Sequence, residues 1–525
     1  MNEEQELPQG WKTAKLDEVM LPVRGIAFPK EVKAHAPAEG YLACLRTTNV
    51  QKEVEWGDLW FIPRQYAKRE DQIVQPLDIL ISTANSYELV GKVAQVHAIP
   101  YESTLGAFIS LLRVKAPFDA KFFYHYLSAS STQEAIRGFA STTTNISNVS
   151  TGKLATLDVV VPPLPEQRRI VAKLEELFSR LDAGVAAVRR TQALLKRYRQ
   201  SVLHAAVTGE LTRAWREAHP APTETGAALL TRLRAERRAQ WEAAQSAKRG
   251  GQLPLNDAWK KKYEEPAAPD TSELPELPAG WAWASVGQLV SVGTGATPLK
   301  SNPLYHSEGT VPWVTSGALN NLFIRETQQF ITELAVEETN AKVFPAGTLL
   351  VAMYGEGKTR GKVSELTFPA ATNQACAALI FDDAAMDAKE MVKLFFEKNY
   401  DDLRRLSSGG VQPNLNLSLI KATAVPLPPL AEQAEIVAEV ERRLTVLDVL
   451  SQTLTAELKR AERLRQSLLH RAFTGRLVPQ DATDEPAAAL LARLREGAAG
   501  AAPAKGKAGR GRQPKAIAQQ ATLGF

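Results

Sequence analysis

Residues 162–182 read PPLPEQRRIVAKLEELFSRLD, and residues 428–448 read PPLAEQAEIVAEVERRLTVLD. The two segments align without a gap, 266 positions apart. The same register continues to the end of each segment, where SVLHAAVTGEL (201–211) matches SLLHRAFTGRL (467–477). Because the register never breaks, the two segments have equal lengths, and this indicates that their length itself matters.

Both segments are predicted to be long helices. In each copy a proline pair ends a preceding strand (157–161; 423–427), and Glu166 or Glu432 then places a carboxylate near the positive end of a helix. A heptad repeat with an apolar residue at every a position follows, as the seam of a coiled coil requires. The seam residues are Leu174, Leu181, Val188, Leu195 and Val202 in the first helix, and Val440, Leu447, Leu454, Ala461 and Leu468 in the second.

Each helix of about 40 residues would run roughly 60 Å. A homodimeric coiled coil is one way to pair such helices. The two segments share one chain and one length, however, so pairing within the chain costs less entropy, and we expect the helices to be antiparallel. The predicted fold class is therefore α+β, with two globular α/β heads separated by two long antiparallel helices that form an intramolecular coiled coil.

The repeat extends faintly into the heads and beyond the helices. LPxGW at 7–11 returns at 277–281, and the segment AALLxRLR at 227–234 returns at 488–495. The whole chain is thus two copies of a head, a long helix and a short distal helix. The predicted divisions are a first head (1–161), the first long helix (162–210), a distal helix and connector (211–272), a second head (273–427), the second long helix (428–476), and a distal helix with a basic tail expected to be disordered (477–525).

Composition is that of an ordinary soluble protein, with 525 residues, 44% of them hydrophobic and 23% charged. The two cysteines, Cys44 and Cys376, lie in different heads, so they supply neither a disulfide framework nor a CxxC metal site. The N-terminus lacks the apolar core of a signal peptide, and no stretch is long enough to span a membrane. These features favour a cytoplasmic location.

One segment looks like an enzyme motif. Residues 352–359 read AMYGEGKT after an apolar strand (348–351), which fits a relaxed phosphate-binding loop. The following RGKVSELTFP gives little support to the helix that such a loop needs, and the first head has STANSYEL at the same place. The histidines show no metal-ligand spacing, so the sequence predicts no catalytic residue, no metal site and no cofactor in this chain.

The two helical segments, each following a head, resemble the two conserved regions of the specificity subunit of Type I restriction-modification systems. The LPxGW openings and the GGVQPNL approach to the second proline pair (409–415) are also similar to that family. The resemblance covers nearly the whole chain. It implies that the heads are target recognition domains, each reading one half of a bipartite, asymmetric DNA site.

The resemblance also implies partners. They are double-stranded DNA, two modification subunits that bind S-adenosylmethionine and methylate adenine, and restriction subunits that translocate and cleave DNA with ATP and Mg²⁺. This chain would supply recognition without catalysis, and the segment 211–272 would help to dock a modification subunit. The main alternative is an adaptor that binds only proteins.

Direct readout of DNA needs polar or basic side chains that reach base edges or phosphates. Such residues cluster in two loops per head. We predict DNA contacts by Ser82, Thr83, Asn85, Ser86, Lys92, Thr143, Thr144 and Asn145 in the first head, and by Tyr354, Lys358, Arg360, Lys362, Gln412 and Asn414 in the second. Loops of this composition are often only turns and helix caps. Without a gap, Asn148 rather than Asn145 is the counterpart of Asn414.

Overall fold

The computed structural model describes residues 7–143, 146–248, 257–355, 359–383, 385–406 and 414–500. The chain divides into two compact units, Met1–Ala187 with Ala456–Phe525, and Val188–Thr455. Each unit contains one head and one half of each long helix. Each is described below by itself.

The first head is built from short strands and helices. They are β1 (Lys12–Lys15), α1 (Leu16–Val19), β2 (Met20–Arg24), β3 (Tyr41–Leu45), β4 (Trp60–Pro63), β5 (Ile79–Ser82), β6 (Ala84–Asn85), β7 (Val93–Gln95), β8 (Ser103–Leu105), β9 (Ile109–Val114), α2 (Ala120–Ser128), α3 (Ser130–Gly138), β10 (Ser141–Thr143), β11 (Ile146–Asn148), α4 (Thr151–Ala155) and β12 (Asp158–Val161). The strands form sheets in the orders β2-β9-β5-β7, β4-β3-β8, β10-β11-β6 and β1-β12.

Three helices follow the first head, and the second head comes after them. The helices are α5 (Leu164–Val207), α6 (Arg213–Ala218) and α7 (Gly226–Ala247). The second head contains β13 (Ala282–Ser285), α8 (Val286–Leu289), β14 (Ser291–Thr294), β15 (Val311–Val314), β16 (Phe323–Ile324), β17 (Phe330–Ile331), α9 (Glu333–Glu338), β18 (Val343–Phe344), β19 (Leu349–Ala352), β20 (Val363–Leu366), β21 (Ala370–Thr372), β22 (Cys376–Ile380), α10 (Lys389–Lys398), α11 (Tyr400–Leu406), α12 (Leu417–Ala422) and β23 (Ala424–Leu427). The chain continues with α13 (Leu430–Phe473) and α14 (Ala487–Gly500).

The two heads share one topology, as the faint repeat in the sequence predicts. The order β14-β22-β19-β20-β16 repeats β2-β9-β5-β7 with one added strand, and β17-β15-β21-β18 repeats β4-β3-β8 in the same way. The pairs β3–β8 and β15–β21 are both parallel, whereas their neighbours are antiparallel. In each head the central strands are almost wholly buried, because both faces of the sheet are covered.

The long helices α5 and α13 each contain 44 residues, slightly more than the sequence predicts. Both end in the same way. Gly209 and Gly475 follow two residues after the last helical residue, with φ of +76° and +69°. Such left-handed residues stop a helix and are almost always glycine. The repeated Thr-Gly is therefore the stop signal of each helix.

The halves of the two helices pair antiparallel inside each unit. In the second unit Arg199 is bonded to Asp448, while Gln192 Nε2 lies 3.5 Å from Thr455 Oγ1. In the first unit Asp182 is bonded to Arg465. The ten predicted seam residues are all buried or half-buried; Leu174, Val202, Val440, Leu447 and Leu468 are the buried ones.

The distal helices pack on the heads. Leu229 and Leu233 of α7 are each 1% exposed and join the core of the second head, and Leu490 and Leu491 of α14 join the core of the first. Burying each leucine stabilises its unit by about 1.5–3 kcal/mol. The core of each head is thus completed by the distal helix of the other repeat, α14 for the first head and α7 for the second. The second head therefore already engages part of the segment 211–272.

Both cysteines are buried and free, as expected from their separation in sequence. Burial raises the pKa of the Cys44 and Cys376 thiols to about 12, so both stay protonated. Among the helices that the structure describes, none is both long and apolar enough to cross a bilayer. The predicted basic tail from residue 501 onward lies outside the described residues.

Candidate nucleic-acid interface

The repeated motifs meet at the base of each head. The indole Nε1 of Trp11 donates to Glu166 Oε2 at 2.9 Å, and that of Trp281 donates to Glu432 Oε2 at 2.8 Å. The next residue, Gln167 or Gln433, donates from Nε2 to the carbonyl of Pro162 or Pro428 at 2.9 and 2.8 Å. The LPxGW and PPLxEQ motifs therefore fasten each head to its own long helix.

The glycine before each tryptophan also holds a distal helix. Gly10 and Gly280 adopt φ of +81° and +86°. The carbonyl of Gly10 accepts from the backbone N–H of Ala487 at 2.9 Å, and that of Gly280 accepts from Gly226 at 2.7 Å. These two backbone bonds place the first turn of α14 and α7 against the heads. The motifs are thus structural.

The predicted contact residues of the first head come together on the small sheet β10-β11-β6. Asn85 pairs with Ser147, and Ala84 pairs with Asn148, so the two predicted loops form one structure. Thr143 is exposed, and Asn85 and Ser86 are half-buried. Thr144 and Asn145, which follow β10 in the sequence, lie outside the described residues. A polar hairpin of this kind presents hydroxyl and amide groups, which can bond base edges or phosphates.

Two of the predicted contact residues in this head are not at the surface. Ser82 is 1% exposed, and Thr83 is 8% exposed, because β5 runs through the middle of the head. Asn85 Nδ2 donates to Ser82 Oγ at 3.2 Å. We therefore revise the role of Ser82 from contacting DNA to positioning Asn85.

Lys92 and Lys362 occupy the same place in the two heads. Each follows a glycine of positive φ, Gly91 or Gly361, whose N–H donates to the preceding strand at 2.8 Å. Each is half-buried, and its ammonium donates to an amide side chain, that of Gln51 in the first head and that of Asn320 (3.2 Å) in the second. An ammonium has three donors, so both can still bond phosphate.

The remaining predicted residues of the second head are only partly described. Tyr354 is 37% exposed, Arg360 is half-buried with its carbonyl 3.5 Å from the Arg404 guanidinium, and Asn414 is exposed. Lys358 and Gln412 lie outside the described residues. The residues that would correspond to the β10–β11 hairpin are also largely outside them.

Asn414 and Asn148 are structural counterparts. The backbone N–H of Val149 donates to the Thr83 carbonyl at 2.9 Å, and that of Leu415 donates to the Met353 carbonyl at 3.2 Å. The residue before each donor is Asn148 or Asn414, and both are exposed. The ungapped alignment is the structural one, so Asn148 joins the candidate contacts.

Two exposed aromatic residues near this surface were missed from the sequence. Tyr87 is 53% exposed, and Phe108 is 63% exposed. The carbonyl of Phe108 accepts from the backbone N–H groups of Thr83 and Ala84 at 3.0 and 3.1 Å, so its loop lies beside β6. An apolar residue in an apolar stretch looks like core, and nothing in the sequence marks Phe108 as exposed.

The described residues on either side of 356–358 do not have the strand-to-helix arrangement of a phosphate-binding loop. After Thr359 and the turn at Gly361, the chain enters strand β20 instead of the helix whose N-terminus such a loop requires. Within the described ranges, no group of three or more His, Cys, Asp or Glu side chains is arranged to hold a metal ion.

Comparison with known proteins agrees with this architecture. The sequence model of the Type I restriction modification DNA specificity domain matches residues 8–186 and 278–460, which is one match for each head. The specificity subunit of the Type I restriction enzyme EcoKI from Escherichia coli (strain K12) is 27% identical over 510 residues, covering 93% of this chain and 96% of that one. The StySPI specificity subunit from Salmonella potsdam is 26% identical over 506 residues, with the same coverage.

A solved structure has the same fold. A chain from a Type I restriction-modification system superposes with a TM-score of 0.60 at 19% sequence identity, over 90% of this chain and 100% of that one. The family model covers well over half of the present sequence and falls on both heads with the start of each long helix. This chain therefore belongs to the family of Type I restriction-modification DNA specificity subunits.

Proposed function

We propose that this specificity subunit reads a bipartite, asymmetric DNA site, one half with each head, while α5 and α13 fix the spacing between the halves. The observation that carries the proposal is the contrast within the repeat. The family model matches both heads, and the helices have equal lengths of 44 residues, yet the candidate contact loops differ, with STANSYEL at 82–89 and AMYGEGKT at 352–359. Two unlike half-sites at a fixed distance require helices of constant length and contact loops that differ between the heads.

The polar surface of the first head supports this assignment. The sheet β10-β11-β6 exposes Ser141, Thr142, Thr143 and Asn148, and the Lys92 carbonyl accepts from the backbone N–H of Ser82, two residues before β6. Hydroxyl and amide groups can bond both base edges and phosphates, and a lysine adds attraction to the DNA backbone. In the second head Tyr354, Arg360, Lys362 and Asn414 are the proposed contacts among the described residues.

The chain would act without catalysing a reaction of its own. Two modification subunits would bring S-adenosylmethionine and methylate adenine within the site, and restriction subunits would bring ATP and Mg²⁺ for translocation and cleavage. The curated relatives EcoKI and StySPI are specificity subunits of restriction enzymes, which is consistent with such an assembly. We infer that the assembly works in the cytoplasm, where its DNA is.

Mapping adenine methylation by single-molecule sequencing tests the proposal. Cells with and without this gene are compared, with the gene restored on a plasmid as the control. We expect a two-part motif with a fixed gap to lose its methylation on deletion and to regain it on restoration. If the modification subunits are expressed and active but no motif depends on this gene, the proposal is wrong.

A further inference from the structure

A cavity of about 320 Å³ opens in the first head next to the sheet β10-β11-β6. Two cationic side chains, Arg24 and Lys153, line it together with several hydroxyl groups, including those of Thr83, Ser110 and Thr151. None of its lining residues is an aspartate or a glutamate. Two positive charges without a neighbouring carboxylate suit an anion.

Within the described part of the chain, the buried hydroxyl of Ser110 is an unsatisfied donor at this cavity. Ser110 lies on β9, is 1% exposed, and lines the cavity, yet its Oγ has no hydrogen-bond partner among the described residues. Buried polar groups in folded proteins nearly always have a partner, and an exception calls for a functional or ligand-based explanation. A ligand oxygen in the cavity would accept from this hydroxyl.

The second head shows that the fold does not need these side chains. The strand pairs β2–β9 and β14–β22 align Arg24 with Ser110 and Thr294 with Ala377. Thr83 and Met353 correspond because their carbonyls accept from the equivalent residues Val149 and Leu415. Ser150 and Asn416 correspond because each caps the short helix that follows it, α4 or α12. In the second head Thr294 takes the place of Arg24, Met353 that of Thr83, and Ala377 that of Ser110. Leu417 takes the place of Thr151, and Leu419 that of Lys153. The second head thus carries neither cation and none of these three hydroxyl groups, and it has a threonine in place of Arg24.

The position of the cavity connects it to DNA. Ser141 and Asn148, which pair with each other across β10 and β11, also line it. Arg24 and Lys153 are exposed, and the Lys153 ammonium donates to the Phe139 carbonyl at 3.0 Å, which leaves two of its donors available. An anion held here would lie at the edge of the proposed reading surface.

We propose that this cavity holds one backbone phosphate of the half-site that the first head reads. Arg24 and Lys153 neutralise the phosphate, and Ser110 donates to one of its oxygens. Phosphate contacts fix the register of a protein on the duplex without specifying its sequence. The proposal rests on the proposed function and adds to it an anchor whose side chains are absent from the matching described positions of the second head.

The experiment uses the full chain assembled with its modification subunits and a duplex that contains the mapped methylation motif. Each phosphate of both half-sites is replaced in turn by a neutral methylphosphonate, and affinity is measured by fluorescence anisotropy over a range of salt concentrations. We expect neutralisation of several phosphates to weaken binding by the natural chain, and one of them, near the first half-site, to matter only when Arg24 and Lys153 are present. The double variant Arg24→Ala with Lys153→Ala should bind roughly 10- to 100-fold more weakly and lower the salt slope by about 1. It should also be insensitive to neutralisation of that one phosphate.

Two further variants distinguish the loss of a phosphate contact from a disturbance of folding. Thr294→Ala with Leu419→Ala alters the counterpart positions in the second head and should leave affinity and salt slope unchanged. Ser110→Ala installs the residue that the second head has at this place. It should weaken binding about two- to tenfold without lowering the melting temperature, because the hydroxyl has no partner within the chain.

Three results would overturn the anchor. The Arg24/Lys153 variant could bind as tightly as the natural chain, or it could lose as much affinity as the natural chain at the critical methylphosphonate. The modification subunits assembled with this variant could also methylate a motif altered at one base, which would mean that the cavity reads a base. An assembled natural chain that shows no preference for its motif over competitor DNA would instead refute the proposed function itself, and the anchor with it.

Discussion

At the scale of single residues, the two tryptophan–glutamate pairs look alike but have different surroundings. Glu432 also accepts from Thr212 Oγ1 at 2.8 Å and is paired with the Arg216 guanidinium. Glu166 accepts from Trp11 alone, and its Oε1 has no hydrogen-bond partner among the described residues. Burial therefore raises the pKa of the Glu166 carboxyl above its ordinary value.

The sign of the resulting pH effect follows from linkage. Because the pKa of Glu166 is higher in the folded chain than in the unfolded chain, the folded state binds a proton more readily. The stability that the protonated Glu166 contributes is therefore present at low pH and is lost as the pH rises through the raised pKa. Glu166→Gln should change stability by no more than about 1 kcal/mol at neutral pH and should remove this pH dependence.

Glu432→Gln is the matched comparison. It leaves the Arg216 guanidinium without its charged partner in a site where Glu432 is 1% exposed, and it should cost about 2–4 kcal/mol. Apparent melting temperatures of the full chain between pH 4 and 8 measure both effects. Equal losses from the two substitutions would contradict this account of their surroundings.

At the scale of elements, the end of α5 is packed much more closely than its middle. An added Cβ on Gly209 would lie 2.6 Å from Pro278 Cγ, at a backbone φ of +76°. An added Cβ on Gly184, in the middle of α5, would meet nothing within 4 Å. The Thr-Gly stop is therefore also the place where the proline of LPxGW packs.

This difference predicts opposite outcomes for one chemical change. Gly209→Ala should destabilise the second unit by about 2 kcal/mol or more, because it combines a left-handed backbone with a steric clash. Gly184→Ala should stabilise α5 by about 0.5–1 kcal/mol, because alanine is the better helix former at an open position. Thermal unfolding of both variants decides the matter, and a destabilising Gly184→Ala would show that the middle of α5 is not a regular, open helix.

The sequence predicts some elements well and others poorly, for physical reasons. The ungapped repeat, the proline pairs and the apolar a positions predict both long helices to within a few residues. The apolar face of AALLxRLR shows that each distal helix needs a partner but not which one, and only the structure places α7 on the second head and α14 on the first. The sheet β10-β11-β6 was not predicted, because Ser, Thr and Asn are typical of turns and its pairing with β6 joins residues about 60 positions apart.

The candidate contact residues show the same limit. Polar composition selects two loops of the first head that do come together, because Asn85 and Thr143 share one small sheet, whereas their contact with DNA stays a prediction. It cannot tell the buried Ser82 from the exposed Asn148, since both are small polar residues beside a strand. Composition also gave no sign that Arg24 and Lys153 belong together. They are far apart in sequence and line one cavity because β2 lies beside α4 in the folded head.

At the scale of the whole molecule, the chain is one plan used twice. Each unit joins a head to the start of one long helix, the end of the other, and the distal helix that follows that other helix. The candidate contact loops differ in sequence between the two heads, whereas the LPxGW and PPLxEQ motifs that join each head to its helix are the same. Under the proposed function, recognition is divided between the heads, and the long helices set the spacing between the half-sites.

Exchanging the first head for that of another family member, with both long helices kept, tests this claim most directly. Single-molecule sequencing of adenine methylation would read the motif of the hybrid chain in cells that express the modification subunits. We expect one half of the motif to change, while the other half and the gap between them stay as they are. A hybrid that methylates DNA with both halves changed, with neither half changed, or with an altered gap would contradict the division of labour.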